Sequence, residues 1–260
     1  MCHASIWPPL MPPWWEVTVA GLVVGVLFGL FGVGGSSFAT PALGLLGVPG
    51  LIAVAAPLPA TVPAALVGMI AYIRNRQVEW PVALWSIYGG VPATVMGALL
   101  SKHVGGRPLL IASGVVLAAV GVRLLLPLPD SSLVGRNRRR AGVVVPAAAA
   151  IGLFTGLLAN GGGFLLVPLF VVVLGLTMPE SAGTSLVVIA ALSIPTLATH
   201  WALGHINWTV AAAFALGSIP GAAFGSRLTQ RLPADSMKRG FGALLIVFAA
   251  YFVGRQILNP

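Results

Sequence analysis

The sequence predicts an all-α integral membrane protein made of two homologous halves, each a glycine-broken helical hairpin plus three transmembrane helices. Three observations predict it. The 260 residues are 58% hydrophobic and only 7% charged, with a mean hydropathy of +0.99, whereas soluble domains carry about a quarter charged residues. Apolar runs recur along the whole chain, each close to the roughly 20 residues a helix needs to cross a bilayer. One glycine-rich stretch occurs twice. Its first copy is Gly25-Val-Leu-Phe-Gly29-Leu-Phe-Gly32-Val-Gly34-Gly35-Ser36-Ser37-Phe-Ala-Thr40-Pro41, and its second is Gly152-Leu-Phe-Thr-Gly156-Leu-Leu-Ala-Asn160-Gly161-Gly162-Gly163-Phe164-Leu-Leu-Val-Pro168.

Each copy reads as an apolar helix, a glycine break and a second apolar helix with a proline in its first turns. Glycine opens backbone torsions that other residues avoid, and proline removes a backbone donor. In hydrocarbon, such a break is tolerated only where it is buried in protein or lines a polar cavity. Paired breaks in corresponding positions of two halves point to a transporter's binding site.

In chain order, residues 1–16 form a proline- and tryptophan-rich lead-in, with Trp14 and Trp15 suited to a membrane interface. A broken unit over 17–48 is followed by apolar segments at 52–73, 82–101 and 108–126. A basic linker, 127–142, carries arginines at 136, 138, 139 and 140. The plan then repeats, with a broken unit at 143–175 and segments at 181–203, 208–228 and 236–256. The repeats, 17–126 and 143–256, are expected to form one domain spanning 1–260. The match extends past the glycines: Thr61 falls near Thr184, Glu79-Trp80 on Asn207-Trp208, and Gly89, Pro92 and Gly97 on Gly217, Pro220 and Gly225.

A broken unit is either one interrupted crossing or a re-entrant hairpin. With hairpins, one side collects Arg74, Arg76, Arg123, the linker arginines, Arg227, Arg231, Lys238 and Arg239. Only Lys102, Arg107 and Arg255 lie opposite. With single crossings the two sides nearly balance, so the positive-inside bias favours hairpins. The halves are then inverted in the membrane, and the glycine tips are expected near its midplane.

The net charge of +9 does not imply nucleic acid, because the basic residues sit at span ends and face headgroups. Cys2 is the single cysteine, which excludes an internal disulfide and a cysteine metal cluster. The chain shows no zinc-protease His-Glu-x-x-His and no Walker phosphate-binding loop. No metal and no cofactor is expected.

The duplicated pattern Gly-x-x-x-Gly-x-x-Gly-x-Gly-Gly, closed by a proline, together with Ala182-Gly183-Thr184-Ser185-Leu186, resembles the sulfite exporter TauE/SafE family of membrane permeases. Pro59-Ala60-Thr61-Val62-Pro63 and Ser36 depart from that pattern in the first half. The resemblance implies transport of sulfur-containing anions such as sulfite or organosulfonates. It also implies a multi-pass protein of the cell membrane, the inner membrane of a bacterium. The partners are then the anion and the lipid bilayer, with self-association left open.

The residues fit an anion. Half-helix N-termini offer unpaired N–H groups and a positive dipole end, and bare glycine lets an anion come close. The expected binding set is Gly34, Gly35, Ser36, Ser37 and Thr40 at the first break. Asn160, Gly161, Gly162, Gly163 and Phe164 are their counterparts at the second. Thr61, Thr184, Ser185, His200 and Tyr72 complete the set. Gly25, Gly29, Gly152 and Gly156 are better read as packing positions, and Asn160 has the plain alternative of a helix cap. His200 is an ionisable group inside an expected span, with Tyr72 as its rough counterpart; a hydrogen bond to a neighbouring helix is as good a reading of it as a proton carrier. Two rival classes stand beside the transporter: an intramembrane serine hydrolase using Ser36 and His200, and a membrane subunit that carries nothing.

Overall fold

The computed structural model describes residues 12–100, 118–119, 121–125, 141–158, 163–202, 204 and 206–258. They form helices throughout. The first half contains α1 (Trp14–Phe31), α2 (Gly35–Leu45), α3 (Gly50–Ala55), α4 (Leu58–Arg74) and α5 (Trp80–Leu100). The second contains α6 (Ala141–Leu158), α7 (Gly163–Val172), α8 (Met178–Ala202), α9 (Trp208–Thr229) and α10 (Ala234–Leu258). Four stretches among the described residues are long and apolar enough to cross a membrane: Trp14–Phe31, Ile52–Arg74, Met178–Ala202 and Trp208–Thr229.

Local chemistry sets several of the boundaries. Gly32 ends α1 in the left-handed region at φ 67°, donating its N–H to the Phe28 carbonyl, a conformation that costs a residue with a Cβ about 1–2 kcal/mol. Pro57 interrupts the apolar run expected over 52–73, which therefore opens with the short α3, capped by Pro49, before α4. Thr177 and Glu180 form a reciprocal capping box at the start of α8. The Asn207 side chain caps α9 by accepting from the Val210 N–H at 3.1 Å.

Glycines set the closest packing. Gly21, Gly25 and Gly29 of α1 lie against the backbone of Phe214, Ser218 and Ala222 of α9. Gly217, Gly221 and Gly225 of α9 lie against the backbone of Thr18, Leu22 and Val26 of α1. Both sets advance together, so α1 and α9 run parallel with their backbones in contact. A second pair repeats the first: Gly89 of α5 abuts Val145 of α6, and Gly152 of α6 abuts the backbone of Gly90. The packing role expected for Gly25, Gly29 and Gly152 is what these contacts show. Between lipid-facing helices such small-residue faces do the work that hydrophobic burial does in water.

The other contacts fix helix directions. The Tyr72 hydroxyl, near the end of α4, reaches Gly29 and Leu30 near the end of α1. Ala55, at the end of α3, packs with Ile206 and Ala211 at the start of α9. Hence α4 runs in the same sense as α1, and α2 with α3 carries the chain back between them. That is the path of a hairpin, and a single interrupted crossing would have set α4 antiparallel to α1. The first turns of α8 meet the end of α1 through Ser185 and Gly32, while Leu197 packs beside Ala55 near the start of α9. So α8 runs opposite to α4.

Charge follows the same axis. Arg74 and Arg76 share an end of the bundle with Arg227 and Arg231, tied by Tyr72 to Thr229 at 2.9 Å and by Gln230 Nε2 to Gln77 Oε1 at 2.8 Å. The exposed Trp14, Trp15, Trp201 and Trp208 mark the other end, as interfacial tryptophans do. The basic linker is expected at the arginine end. A cysteine introduced at residue 131, in a chain freed of Cys2, is expected to resist a membrane-impermeant thiol reagent in intact cells and to react after permeabilisation; labelling from outside would reverse the orientation.

Candidate functional site

The first break is the non-helical segment 32–34 between α1 and α2, and Gly32, Val33, Gly34 and Gly35 are all buried. The N-cap of α2 is Gly34, with no side-chain hydrogen bond to the first amides, so those donors are not taken by a capping side chain. Around this corner stand the ends of four helices. Ser185 Oγ donates to the Gly32 carbonyl at 2.6 Å. Tyr72 Oη lies 2.7 Å from the Gly29 carbonyl, and Thr229 Oγ1 lies 3.0 Å from the Leu30 carbonyl. Thr184 Oγ1 accepts from the Glu79 N–H at 3.0 Å, just before α5.

The fit at Gly32 is close. A Cβ there would strike the Ala182 carbonyl oxygen and come within 2.5 Å of Ser185 Oγ. Gly35 differs, since a Cβ there would meet only the Phe28 ring, at 3.8 Å. The glycine that the corner needs for its shape is thus Gly32, and Gly35 has room to spare.

The expected midplane position does not hold for this break. Eighteen residues of α1 precede it, about 27 Å of helix, and it is level with Tyr72, two residues before α4 ends at Arg74. It therefore sits near the arginine end of the bundle. From it α2 runs back inward, and Phe38, Ala39 and Leu43 share an apolar cluster with Leu165, Val167 and Val171 of α7.

The structure gathers Gly34, Gly35, Tyr72, Thr184 and Ser185 at this corner. Ser36, Ser37 and Thr40 follow in α2, with Thr40 half-buried. Thr61 is not among them: it lies eleven residues before Tyr72, about 16 Å along α4, and its hydroxyl bonds the Pro57 carbonyl at 3.0 Å. His200 is also distant. It lies in the last turn of α8, about 22 Å along that helix from Ser185. A Ser36–His200 dyad therefore does not form here, because Ser36 is in the first turn of α2 beside the corner. Gly163 and Phe164 begin α7. Asn160, Gly161 and Gly162 lie outside the described residues. Thr229, which sequence reasoning missed, carries no local signal; its partners Leu30 and Tyr72 are 199 and 157 residues away.

These features define a multi-pass α-helical membrane protein organised around a buried helix break at which four helix ends meet. The chain belongs to the sulfite exporter TauE/SafE family, whose profile matches residues 17–252. It is similar to a probable membrane transporter protein of Xylella fastidiosa (strain Temecula1), 29% identical over 250 residues that cover 91% of this chain and 94% of the relative. It is also similar to two probable membrane transporter proteins of Bacillus subtilis. YunE is 24% identical, covering 82% of this chain and 85% of the relative; YjnA is 25% identical, covering 89% and 96%. No solved structure matches the chain.

Proposed function

We propose that this protein is a secondary transporter of small sulfur-containing oxyanions, sulfite or organosulfonates, which bind the N-termini of the half-helices α2 and α7. The observation that carries the reading is the first break: a buried corner of glycine backbone, with no capping side chain on α2, in a chain of a permease family. An anion stripped of water is costly to hold, and a helix N-terminus supplies donors and partial positive charge without a permanent cation. A site lacking a full countercharge also lets the anion leave, as turnover requires.

The halves are read as inverted repeats. In support, α4 and its counterpart α8 run in opposite senses, and the α1–α9 contact recurs between their counterparts α6 and α5. On this reading the second break is expected toward the tryptophan end, and the anion's path runs along α2 and α7, one half-site near each face. The test is uptake and efflux of sulfite, sulfate, taurine and sulfoacetate in proteoliposomes; a protein that carries none of them is not this transporter. On this reading Gly162→Val abolishes transport with expression retained, because the side chain fills the space over the α7 amides. Asn160→Ala weakens half-saturation by up to about tenfold, the worth of one neutral hydrogen bond.

A further inference from the structure

We propose that Tyr72, Thr229 and Ser185 are positioning residues of the transport site: three hydroxyls that hold the open carbonyls at the end of α1 and so fix the corner from which α2 starts. The proposal rests on the reading of the α2 N-terminus as an anion contact. It replaces direct substrate contact as the role of Tyr72 and Ser185.

The break strips α1 of donors. Gly32 N–H still serves the Phe28 carbonyl at 2.8 Å, but the left-handed turn at Gly32 carries the following amides away from the helix axis. The carbonyls of Gly29 and Leu30 would then face an apolar interior without partners, which a membrane-buried backbone does not tolerate. Tyr72 Oη lies 2.7 Å from the Gly29 carbonyl and 3.1 Å from that of Leu30. Thr229 Oγ1 lies 3.0 Å from the Leu30 carbonyl and 2.9 Å from Tyr72 Oη. Each hydroxyl carries one proton, so Tyr72 donating to Gly29 and Thr229 donating to Leu30 covers both carbonyls. Thr229 has two competing acceptors, the Gly225 carbonyl of its own helix at 3.2 Å and Tyr72 Oη at 2.9 Å. Beyond the turn, Ser185 covers the Gly32 carbonyl at 2.6 Å, in competition with Ala182 at 2.9 Å.

The three side chains come from α4, α9 and α8, so three helices are tied to one corner of a fourth. Tyr72 and Thr229 are both at most 2% exposed, and Ser185 is wholly buried, which removes water as a substitute donor. Any shift of α4, α8 or α9 against α1 must break these bonds and release the first turn of α2.

The test compares Tyr72→Phe, Thr229→Val and Thr229→Ser with the parent by amide hydrogen exchange and by sulfite transport in proteoliposomes. Tyr72→Phe and Thr229→Val are expected to speed exchange of the amides of residues 32–38 at least tenfold, leaving the middle of α9 unchanged. They are also expected to raise the KM for sulfite at least tenfold, with a smaller change in kcat. Thr229→Ser keeps the hydroxyl and restores both. Unchanged exchange at 32–38 in Tyr72→Phe and Thr229→Val overturns the proposal whatever transport does. Faster exchange with parental transport overturns it too, since the bonds would then serve the fold alone. Should Tyr72→Phe fail to fold, the valine and serine variants at 229 carry the comparison. A parent that moves no sulfur oxyanion sinks the functional reading, and the exchange arm still decides whether these hydroxyls hold the corner.

Discussion

Gly221→Leu is expected to part α9 from α1 and to cost the folded protein about 3 kcal/mol or more, at or above the upper end of the overpacking range. A Cβ at Gly221 would lie 2.5 Å from the Leu22 carbonyl oxygen and 3.1 Å from Gly25 Cα. Both are backbone atoms of α1, and neither can turn aside as a side-chain tip does. The contact is equally close from the other side, where a Cβ at Gly25 would come 2.7 Å from Ser218 Cα. Leucine adds three further carbons to a space that does not admit one, so the helices must separate along their length. Little replaces the lost contact, since packing rather than burial joins helices in lipid. Thermal unfolding and size-exclusion chromatography of the purified protein read the effect. Gly44→Ala is the control, because none of the described residues lies within 4 Å of a Cβ there, and it should melt like the parent. A monodisperse Gly221→Leu protein with the parental melting temperature would show that this contact does not hold the bundle.

Glycines every fourth residue in α1 and α9 are visible in the chain, and Gly25, Gly29 and Gly152 were legible as packing positions. Which helix each glycine face meets was not legible, because partner choice depends on the surfaces of helices nearly two hundred residues apart. The break between α1 and α2 was legible from Gly32 to Gly35, since clustered glycines have few other uses in a span. Charge placement pointed to the hairpin, and the reach of Tyr72 to Gly29 agrees with it. The depth of the break was not legible: the midplane expectation followed from re-entrant half-helices in inverted repeats, but α1 has 18 residues, about 27 Å of helix, before the break.

The corner at the first break was legible in its backbone and not in its side chains. Tyr72 was singled out as the rough counterpart of His200 and Ser185 as part of the stretch Ala182–Leu186, signals that find the residue without its partner. The structure turns both toward main-chain carbonyls of α1. Thr229, at the very end of α9 beside arginines, looked like an ordinary span end. Thr61 and Thr184 align in the repeat yet do different things: one bonds its own helix and the other holds the amide of Glu79. Alignment of halves preserves fold position, whereas a hydroxyl's partner is set by whichever carbonyl or amide the tertiary structure leaves open.

Gly32→Ala and Gly35→Ala are expected to fail in opposite ways. At Gly32 an alanine must adopt φ 67° and place its methyl against Ala182 and Ser185. The torsion alone costs about 1–2 kcal/mol, and the contact displaces the hydroxyl that serves the Gly32 carbonyl, so the protein loses stability and transport together. At Gly35 the torsion is ordinary and the only neighbours among the described residues are Phe28 ring atoms at 3.8 Å and beyond. Alanine within a helix is favoured over glycine by roughly 0.5–1 kcal/mol, so Gly35→Ala should melt at or slightly above the parental temperature. If the first amides of α2 hold the anion, the same methyl intrudes beside them and raises the KM for transport about tenfold or more, in a protein that is otherwise sound. Loss of function without loss of stability separates a ligand contact from a packing position. A Gly35→Ala protein that transports with the parental KM would remove the α2 N-terminus from the anion's path.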